Sequence, residues 1–239
     1  MSAAEAAPAA PRAGAGPVGG RRAAWARGLL AAFAVAALAD LGALVAGADL
    51  GHQIAKPLLM PLLAGHVVAA RGPRLLIAAL LFGWGGDVFL LADAEWAFLV
   101  GMGSFAAGHV CYLLLFRGRR TSRLLGAGYA VALLTTVALL WPGLPADLRV
   151  PVAGYSLLLT AMALRAGGLG PHAGLGGALF LLSDTLIATG VAGWPQLPAP
   201  DFWIMLTYLA AQYLLVKGVL GRPDAAVGSA AYGEGRTTV

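Results

Sequence analysis

The sequence predicts an all-α, polytopic membrane protein. Hydrophobic residues make up 59% of the 239 residues and charged residues only 11%, whereas about 25% of a soluble domain is charged. The mean hydropathy is +0.79. The apolar residues form long continuous runs without alternation, which excludes a transmembrane β-barrel. The net charge of +5 does not indicate nucleic-acid binding, because the basic residues lie in short connections between apolar runs, where topology signals are found.

Eight apolar segments come close to the ~17–25 residues that a bilayer requires. We predict spans at about Ala24–Val45, Ile54–Ala70, Arg74–Ala92, Trp96–Phe116, Leu124–Trp141, Val150–Leu164, Ala173–Gly193 and Phe202–Leu220. Pro57 and Pro61 lie inside the second span, where neighbouring helices can satisfy the backbone groups that they free. The expected organisation is a disordered tail over residues 1–22, an eight-helix transmembrane domain over 23–220 and a second disordered tail over 221–239.

The charges of the connections predict the orientation. If eight helices alternate in direction, one side collects Arg12, Arg21, Arg22, Arg27, Arg71, Arg74, Arg117, Arg119, Arg120, Arg123, Arg165, Lys217 and Arg222. The opposite connections carry five acidic residues, with Arg149 as the only basic exception. Basic residues mark the cytoplasmic side, so we expect both termini in the cytoplasm and a multi-pass protein of a bacterial inner membrane.

Two carboxyl groups lie inside the apolar runs. Asp87 is in Leu80–Leu91, and Asp184 is in Leu179–Ile187. An ionised acid inside a membrane costs free energy, so such residues usually face the interior of the helix bundle or a water-filled cavity. Similar residues precede both acids, a weak internal repeat that predicts two four-helix halves with an acid on the third helix of each. A shared pocket is allowed, since both acids lie at similar depth; the alternative is that each is a neutral packing residue, or that one pairs with Lys56.

Other polar side chains recur on several of the predicted helices. His109 and Tyr112 are three residues apart and share one helix face, Tyr208 and Gln212 are four apart, and Tyr155 lies on the sixth span. A single histidine on an apolar helix is more often a satisfied core residue than a catalyst. The recurrence on several helices nevertheless favours a common polar cavity.

Four further polar residues lie in or near the predicted spans. Lys56 begins the second span, where it can extend to the interface or supply a cation to a phosphate or a carboxylate. Ser183 and Thr185 flank Asp184 and can bond to the helix backbone. We expect Asp40 to be an interfacial residue of the first span.

The sequence predicts neither a metal site nor a cofactor. It contains no HExxH, GxSxG or Walker A motif, its four histidines lack paired spacing, and Cys111 is its single cysteine. Two buried carboxyl groups can still catalyse: one stays neutral and acts as a general acid, while its partner orients or deprotonates water. Such pairs cleave acetal-like bonds through oxocarbenium-like transition states. Cleavage of a vinyl ether also requires an acid, because protonation of its alkene carbon allows water to add and an aldehyde to leave.

Five ordered segments resemble the YhhN-like lysoplasmalogenase family: Lys56–Pro61, Gly86-Asp87, Gly101–Tyr112 with His109, Leu182–Thr185 and Tyr208–Tyr213. The resemblance covers about residues 24–220. It implies eight membrane helices, hydrolysis of the vinyl ether bond of lysoplasmalogens, and two essential aspartates that correspond to Asp87 and Asp184. The partners that it implies are a lysophospholipid substrate and membrane lipids.

On this basis we assign provisional roles. Asp87, in its glycine-rich apolar setting, is the protonated acid, and Asp184 holds the water. Lys56 attracts the phosphate, and the remaining predicted substrate-binding residues are His109, Tyr112, Ser183, Tyr208 and Gln212.

Two rival functions also use intramembrane acids. An intramembrane aspartyl protease has a GxGD pattern, but here Trp84 stands where that pattern has glycine, and Ser183 precedes Asp184. A proton-coupled transporter would use the acids to carry protons between two rocking halves. A non-catalytic lipid-binding protein is a third alternative.

Overall fold

The computed structural model describes residues 17–92 and 94–221. Within these ranges the chain forms eight helices and no strand, which confirms the predicted all-α class. The helices are α1 (Pro17–Ala46), α2 (Asp49–Ala69), α3 (Arg74–Phe89), α4 (Glu95–Leu115), α5 (Arg123–Leu140), α6 (Arg149–Gly167), α7 (Pro171–Val191) and α8 (Pro200–Leu220).

Each predicted span coincides with one helix, but several ends differ. Helix α1 begins at Pro17, so the last residues of the predicted N-terminal tail belong to the helix. Helix α2 begins at Asp49, five residues before the predicted span. The prediction followed the apolar run and therefore left out the polar first turns of the helix. Residues 1–16 and 222–239, which make up most of the two predicted tails, lie outside the described residues.

The composition of the helices supports a multi-pass membrane protein. Six helices are long and apolar enough to cross a bilayer, namely α1, α4, α5, α6, α7 and α8. Large apolar side chains such as Leu38 and Leu134 cover their outer faces, with about 70% of the side chain exposed in each case. Helices α2 and α3 are more polar or shorter, and they carry Lys56 and Asp87. That all eight helices span the membrane stays a prediction.

Seven helices form a closed ring in which each packs against the next. The order around the ring is α1, α2, α3, α4, α6, α7 and α8, and α8 returns to α1. Helix α5 packs outside the ring, against α6 and α7. The interior is filled by a large apolar core that includes Leu59, Leu63, Phe116, Phe180 and Leu215. The two acid-bearing helices, α3 and α7, therefore face each other across this filled interior.

The two prolines of α2 connect this helix to α3. Pro61 has no N–H group, so the carbonyl of Pro57, four residues earlier, loses its helical partner. The indole Nε1–H of Trp84 donates a hydrogen bond of 2.9 Å to that carbonyl. A neighbouring helix thus satisfies the freed backbone group, as predicted, and the bond fixes α2, which carries Lys56, against α3, which carries Asp87.

Candidate functional site

Asp87 is buried at the end of a chain of hydrogen bonds between α4, α8 and α3. The hydroxyl of Tyr112 donates to Gln212 Oε1 at 2.6 Å, and Gln212 Nε2 donates to the Tyr208 hydroxyl at 3.3 Å. Tyr208 in turn donates to Asp87 Oδ2 at 2.9 Å. All four side chains are at most 3% exposed. The structure therefore joins Tyr112, Gln212 and Tyr208, three of the predicted site residues, in one network that ends at Asp87.

Asp184 belongs to a second network, between α4, α6 and α7. The hydroxyl of Tyr155 donates to Asp184 Oδ2. Since this hydroxyl proton points to the carboxylate, His109 Nε2 must be the donor in the 3.0 Å bond between His109 and the Tyr155 oxygen. His109 is 1% exposed, and its Nδ1 has no hydrogen-bond partner among the described residues. Sequence reasoning recognised Tyr155 only as one more polar residue, whereas the structure makes it the direct partner of Asp184.

A layer of aromatic rings separates the two networks. The Phe105 ring packs edge-on against Tyr208, with centroids 5.8 Å apart, and Phe180 packs edge-on against both Tyr208 and His109. An electrostatic interaction of Asp184 with Asp87 extends across this layer. Aromatic side chains stand between the hydrogen-bond partners of the two acids.

Asp184 lines an apolar cavity, which we call the Asp184 chamber. The space in it that a water-sized molecule can reach is about 60 Å³. Helices α4 to α7 supply its lining residues, together with Leu90, which directly follows α3: Phe98, Met102, Phe105, Thr136, Leu140, Val152, Tyr155, Ser156, Leu159, Leu181, Asp184, Thr185, Ile187, Ala188 and Val191. Asp87 does not line the chamber, so the shared pocket stays a prediction.

Three predicted residues border a separate small cavity. His109, Tyr112 and Gln212 line a narrow gap, together with Phe105 and Phe180, in which the volume open to a water-sized molecule is about 0 Å³. The polar groups of several helices therefore do converge. Their cavity is too small for a lipid, and Phe105 lies between it and the Asp184 chamber.

Glycines on α3 bring this helix against the aromatic layer. A Cβ atom at Gly86 would overlap the Phe105 ring. One at Gly83 would lie 3.0 Å from the Tyr208 hydroxyl and 3.1 Å from Gln212 Nε2. These glycines therefore allow close packing around Asp87 and leave no space for a ligand.

Lys56 lies in a cluster of ionisable residues next to Asp87. Its side chain is 9% exposed, and its charge interacts with those of both Asp87 and Asp40. Asp40 is fully buried and makes a 2.8 Å contact through Oδ1 with His52 Nδ1. Asp40 is therefore held between α1 and α2 by His52, and its position at the membrane interface stays a prediction. Lys56 therefore interacts electrostatically with both carboxyl groups, and its binding of a phosphate stays a prediction.

The hydroxyls beside Asp184 bond to helix backbone. Thr185 Oγ1 donates to the carbonyl of Leu181 at 2.7 Å, as its sequence position suggests. Ser183, which we predicted to bind substrate, is 1% exposed and donates to the carbonyl of Ile204 on α8 at 3.0 Å. Its hydroxyl connects α7 to α8 and does not line the chamber, and a role of Ser183 in substrate binding stays a prediction.

The described residues contain no group of three or more His, Cys, Asp or Glu side chains that could hold a metal ion. The chemistry available at the site is that of two carboxyl groups, three phenols, an imidazole and an ammonium group.

Comparison with known proteins identifies the family. The model of the YhhN family matches residues 51–219, which include all of α3 to α7 and nearly all of α2 and α8. The chain belongs to the YhhN family. Asp40, on α1, lies outside the matched part.

Several relatives carry the same activity in their names. The chain is 36% identical over 150 residues to human lysoplasmalogenase TMEM86B, covering 63% of this chain and 65% of the human protein. It is 37% identical over 160 residues to the pig protein of the same name, covering 67% and 68% of the two chains. It is 35% identical over 190 residues to the lysoplasmalogenase of Mycobacterium tuberculosis, covering 70% and 71%. The match thus spans about two thirds of each relative's length, and no solved structure matches the chain significantly.

Proposed function

We propose that this protein is a lysoplasmalogenase: an integral-membrane hydrolase that cleaves the vinyl ether bond of lysoplasmalogens, which are alkenyl-glycerophosphoethanolamine or -choline lipids. The observation that carries the proposal is the position of Asp184, held by Tyr155 at the wall of an apolar chamber. The lining of the chamber has the chemistry that a hydrocarbon chain requires, and a carboxyl group borders it. The names of the relatives support the same activity.

Access to the chamber changes the roles that the sequence suggested for the two acids. A general acid must touch the alkene carbon that it protonates. Asp184 lines the chamber and Asp87 does not, so Asp184 is the acid in our proposal, and Asp87 is the base that takes a proton from water. Asp184 Oδ2 accepts the hydrogen bond from Tyr155, while Oδ1 makes no hydrogen bond within the described part of the chain. That second oxygen therefore faces the substrate.

The reaction then balances without a metal or a covalent intermediate. Asp184 gives its proton to the alkene carbon that is not bonded to oxygen, which leaves an oxocarbenium ion. Water adds to the cationic carbon and loses a proton to Asp87, forming a hemiacetal. Asp184 accepts the hemiacetal hydroxyl proton, Asp87 returns its proton to the glycerol oxygen, and the carbon–oxygen bond breaks. The products are a fatty aldehyde and a glycerophosphodiester, and both acids regain their starting states.

Phe105 controls the contact between the two halves of this site. One part of its ring lines the chamber, and the ring also packs against Tyr208, the partner of Asp87. A movement of this one side chain joins the space at Asp184 to the network at Asp87. Lys56 acts in our proposal by balancing the charge of Asp87, rather than by binding the phosphate.

The test uses purified protein in detergent and two lysolipids that differ only in the vinyl ether double bond. Aldehyde release from the vinyl ether and none from the saturated ether is the expected result. In deuterated water, one deuterium should appear on the carbon next to the aldehyde. No aldehyde from either lipid refutes the proposed activity. Peptide cleavage, or uptake of a solute into proteoliposomes without product formation, would favour the protease or the transporter instead.

The proposed location is the inner membrane of a bacterium, with both termini in the cytoplasm. The distribution of basic residues between alternate connections supports this orientation. Labelling of cysteines placed in alternate connections of intact cells tests the orientation.

A further inference from the structure

A second cavity lies between α4 and α6, on the outside of the ring. We call it the α4–α6 groove. It has a volume of about 450 Å³, and Leu99, Gly103 and Ala106 line it from α4, with Gly154 and Leu158 on α6. Every lining side chain within the described residues is apolar except for the Tyr155 phenol. Its rim is exposed, since Val150 is 74% and Leu99 is 42% exposed. In a membrane protein, such a surface contacts lipid.

Small residues create the groove. Gly103 on α4 and Gly154 on α6 are both exposed, and a Cβ atom added at either would meet no other atom within 4 Å. These glycines therefore do not serve close helix packing, unlike Gly86 on α3. They leave open a space that larger residues would fill.

The groove and the Asp184 chamber share a wall. Met102 and Tyr155 line both cavities, and Tyr155 is the residue that donates to Asp184. Methionine side chains are flexible and adapt readily to new contacts. Displacement of Met102 therefore connects the groove to the chamber without a change in the helices.

The depth of the groove matches the structure of a single-chain ether lipid. Helix α6 begins at Arg149, whose guanidinium lies 5.9 Å above the Trp141 ring. Trp and basic residues are typical of the membrane interface. Tyr155 is six residues further along, about 9 Å deeper at ~1.5 Å per residue. In a lysoplasmalogen the vinyl ether is the first group of the chain below the glycerol, so a head group at the interface brings that bond close to Tyr155 and Asp184.

We propose that the α4–α6 groove is the lateral entrance through which the hydrocarbon chain of a single-chain lipid passes from the bilayer to Asp184. The occupant is the alkenyl chain of the substrate, so this inference rests on the proposed function. The lipid enters sideways between α4 and α6, and the Met102 side chain moves aside. The head group stays at the interface near Arg149.

The test fills the groove without touching the site. The variants are Gly103→Leu and Gly154→Leu, with the series Ala, Leu, Phe at position 154 as a graded version. Gly128→Leu on α5 is the matched control, because Gly128 is also exposed and its added Cβ would also meet nothing within 4 Å. Two readouts are needed: cleavage of long-chain and short-chain vinyl ethers, and binding of the uncleavable saturated-ether lysolipid.

We expect both groove variants to lower kcat/KM for the long-chain vinyl ether by about tenfold or more, with the loss growing from Ala to Phe at position 154. Cleavage of a short, water-soluble vinyl ether should stay within about twofold of wild type. The saturated-ether lysolipid should bind the variants about tenfold more weakly, and Gly128→Leu should change nothing.

The readouts separate the failure of this inference from that of the proposed function. Wild-type turnover and binding of long-chain lipids by both groove variants would overturn the entrance. Equal losses with long and short substrates would overturn it too, because the substitutions would then act on the site itself. If neither the wild-type protein nor any variant cleaves a vinyl ether, the proposed function is refuted. The binding of the saturated-ether lysolipid would still test the entrance in that case.

Discussion

The replacement of Tyr155 by phenylalanine is the most informative single change at the site. It removes one oxygen atom, keeps the ring that lines the Asp184 chamber, and abolishes two hydrogen bonds. The first is the donation from Tyr155 to Asp184, and the second is the donation from His109 Nε2 to the Tyr155 oxygen. The variant therefore tests whether the carboxyl group must be held in place.

The expected loss of activity can be worked out from the first bond. A hydrogen bond to a charged group contributes about 1.5–3 kcal/mol. If Tyr155 holds Asp184 in its reactive position throughout the reaction, kcat should fall by roughly 10- to 150-fold. KM should change little, because the apolar contacts of the chain stay intact.

The second bond predicts a separate loss of stability. His109 is 1% exposed, and the variant leaves its Nε2–H without a partner. A buried, unsatisfied donor costs about 1–3 kcal/mol, so the thermal unfolding midpoint should also fall. The unfolding transition is measured by tryptophan fluorescence, and kinetics are measured well below that midpoint.

The assay couples aldehyde release from a vinyl-ether lysolipid to the oxidation of NADH by an alcohol dehydrogenase. Tyr213→Phe on α8 is the matched control, because the Tyr213 hydroxyl takes part in no hydrogen bond that the structure shows, and its activity should equal that of wild type. A folded Tyr155→Phe protein with the kcat of wild type would refute the reasoning, since Asp184 would then need no support from α6.

The remaining predictions concern residues around the two networks. Ser183→Ala should keep activity within about twofold of wild type while the free energy of unfolding falls by about 1 kcal/mol; a large loss of kcat would support Ser183 as a substrate ligand. Lys56→Gln should lower turnover equally for an alkenyl-glycerophospholipid and for the alkenyl-glycerol without phosphate, because Lys56 serves Asp87; a loss confined to the phospholipid would show a phosphate-binding role. Gly86→Ala should destabilise the protein by about 1–3 kcal/mol, because the new methyl group overlaps the Phe105 ring; Gly128→Ala, which meets no neighbour, should be neutral or stabilising, and equal effects of the two would contradict this packing.

The sequence predicted the helices well because each apolar run is long and separated from the next by polar or glycine- and proline-containing connections. The errors of the prediction from sequence are confined to single helix ends and contacts. Helix α2 begins at Asp49 rather than near Ile54, because His52 and the residues around it are polar, and a search for apolar runs does not include such turns. The same polar turn carries the partner of Asp40, so the buried pair between α1 and α2 was also missed.

The candidate site was harder to predict, because its contacts depend on how the helices are rotated against each other. The spacing of Tyr208 and Gln212 along α8 predicted that they share a face, and they are in fact bonded to each other. No spacing along the chain predicts that Tyr155 on α6 meets Asp184 on α7. Nor does sequence alone show that Gly86 packs against a ring while Gly154 borders an open groove.

The central claim is that both carboxyl groups, buried Asp87 and half-buried Asp184, are needed for cleavage of the vinyl ether, and Asp87→Asn and Asp184→Asn test it most directly. Each variant keeps the size of the side chain and a hydrogen-bond acceptor for Tyr208 or Tyr155, but it removes the proton transfer. Loss of a positioned acid or base costs about 10²–10⁴-fold in rate. We therefore predict that aldehyde release falls by at least about 100-fold in each folded variant. Wild-type turnover by either one would contradict the account.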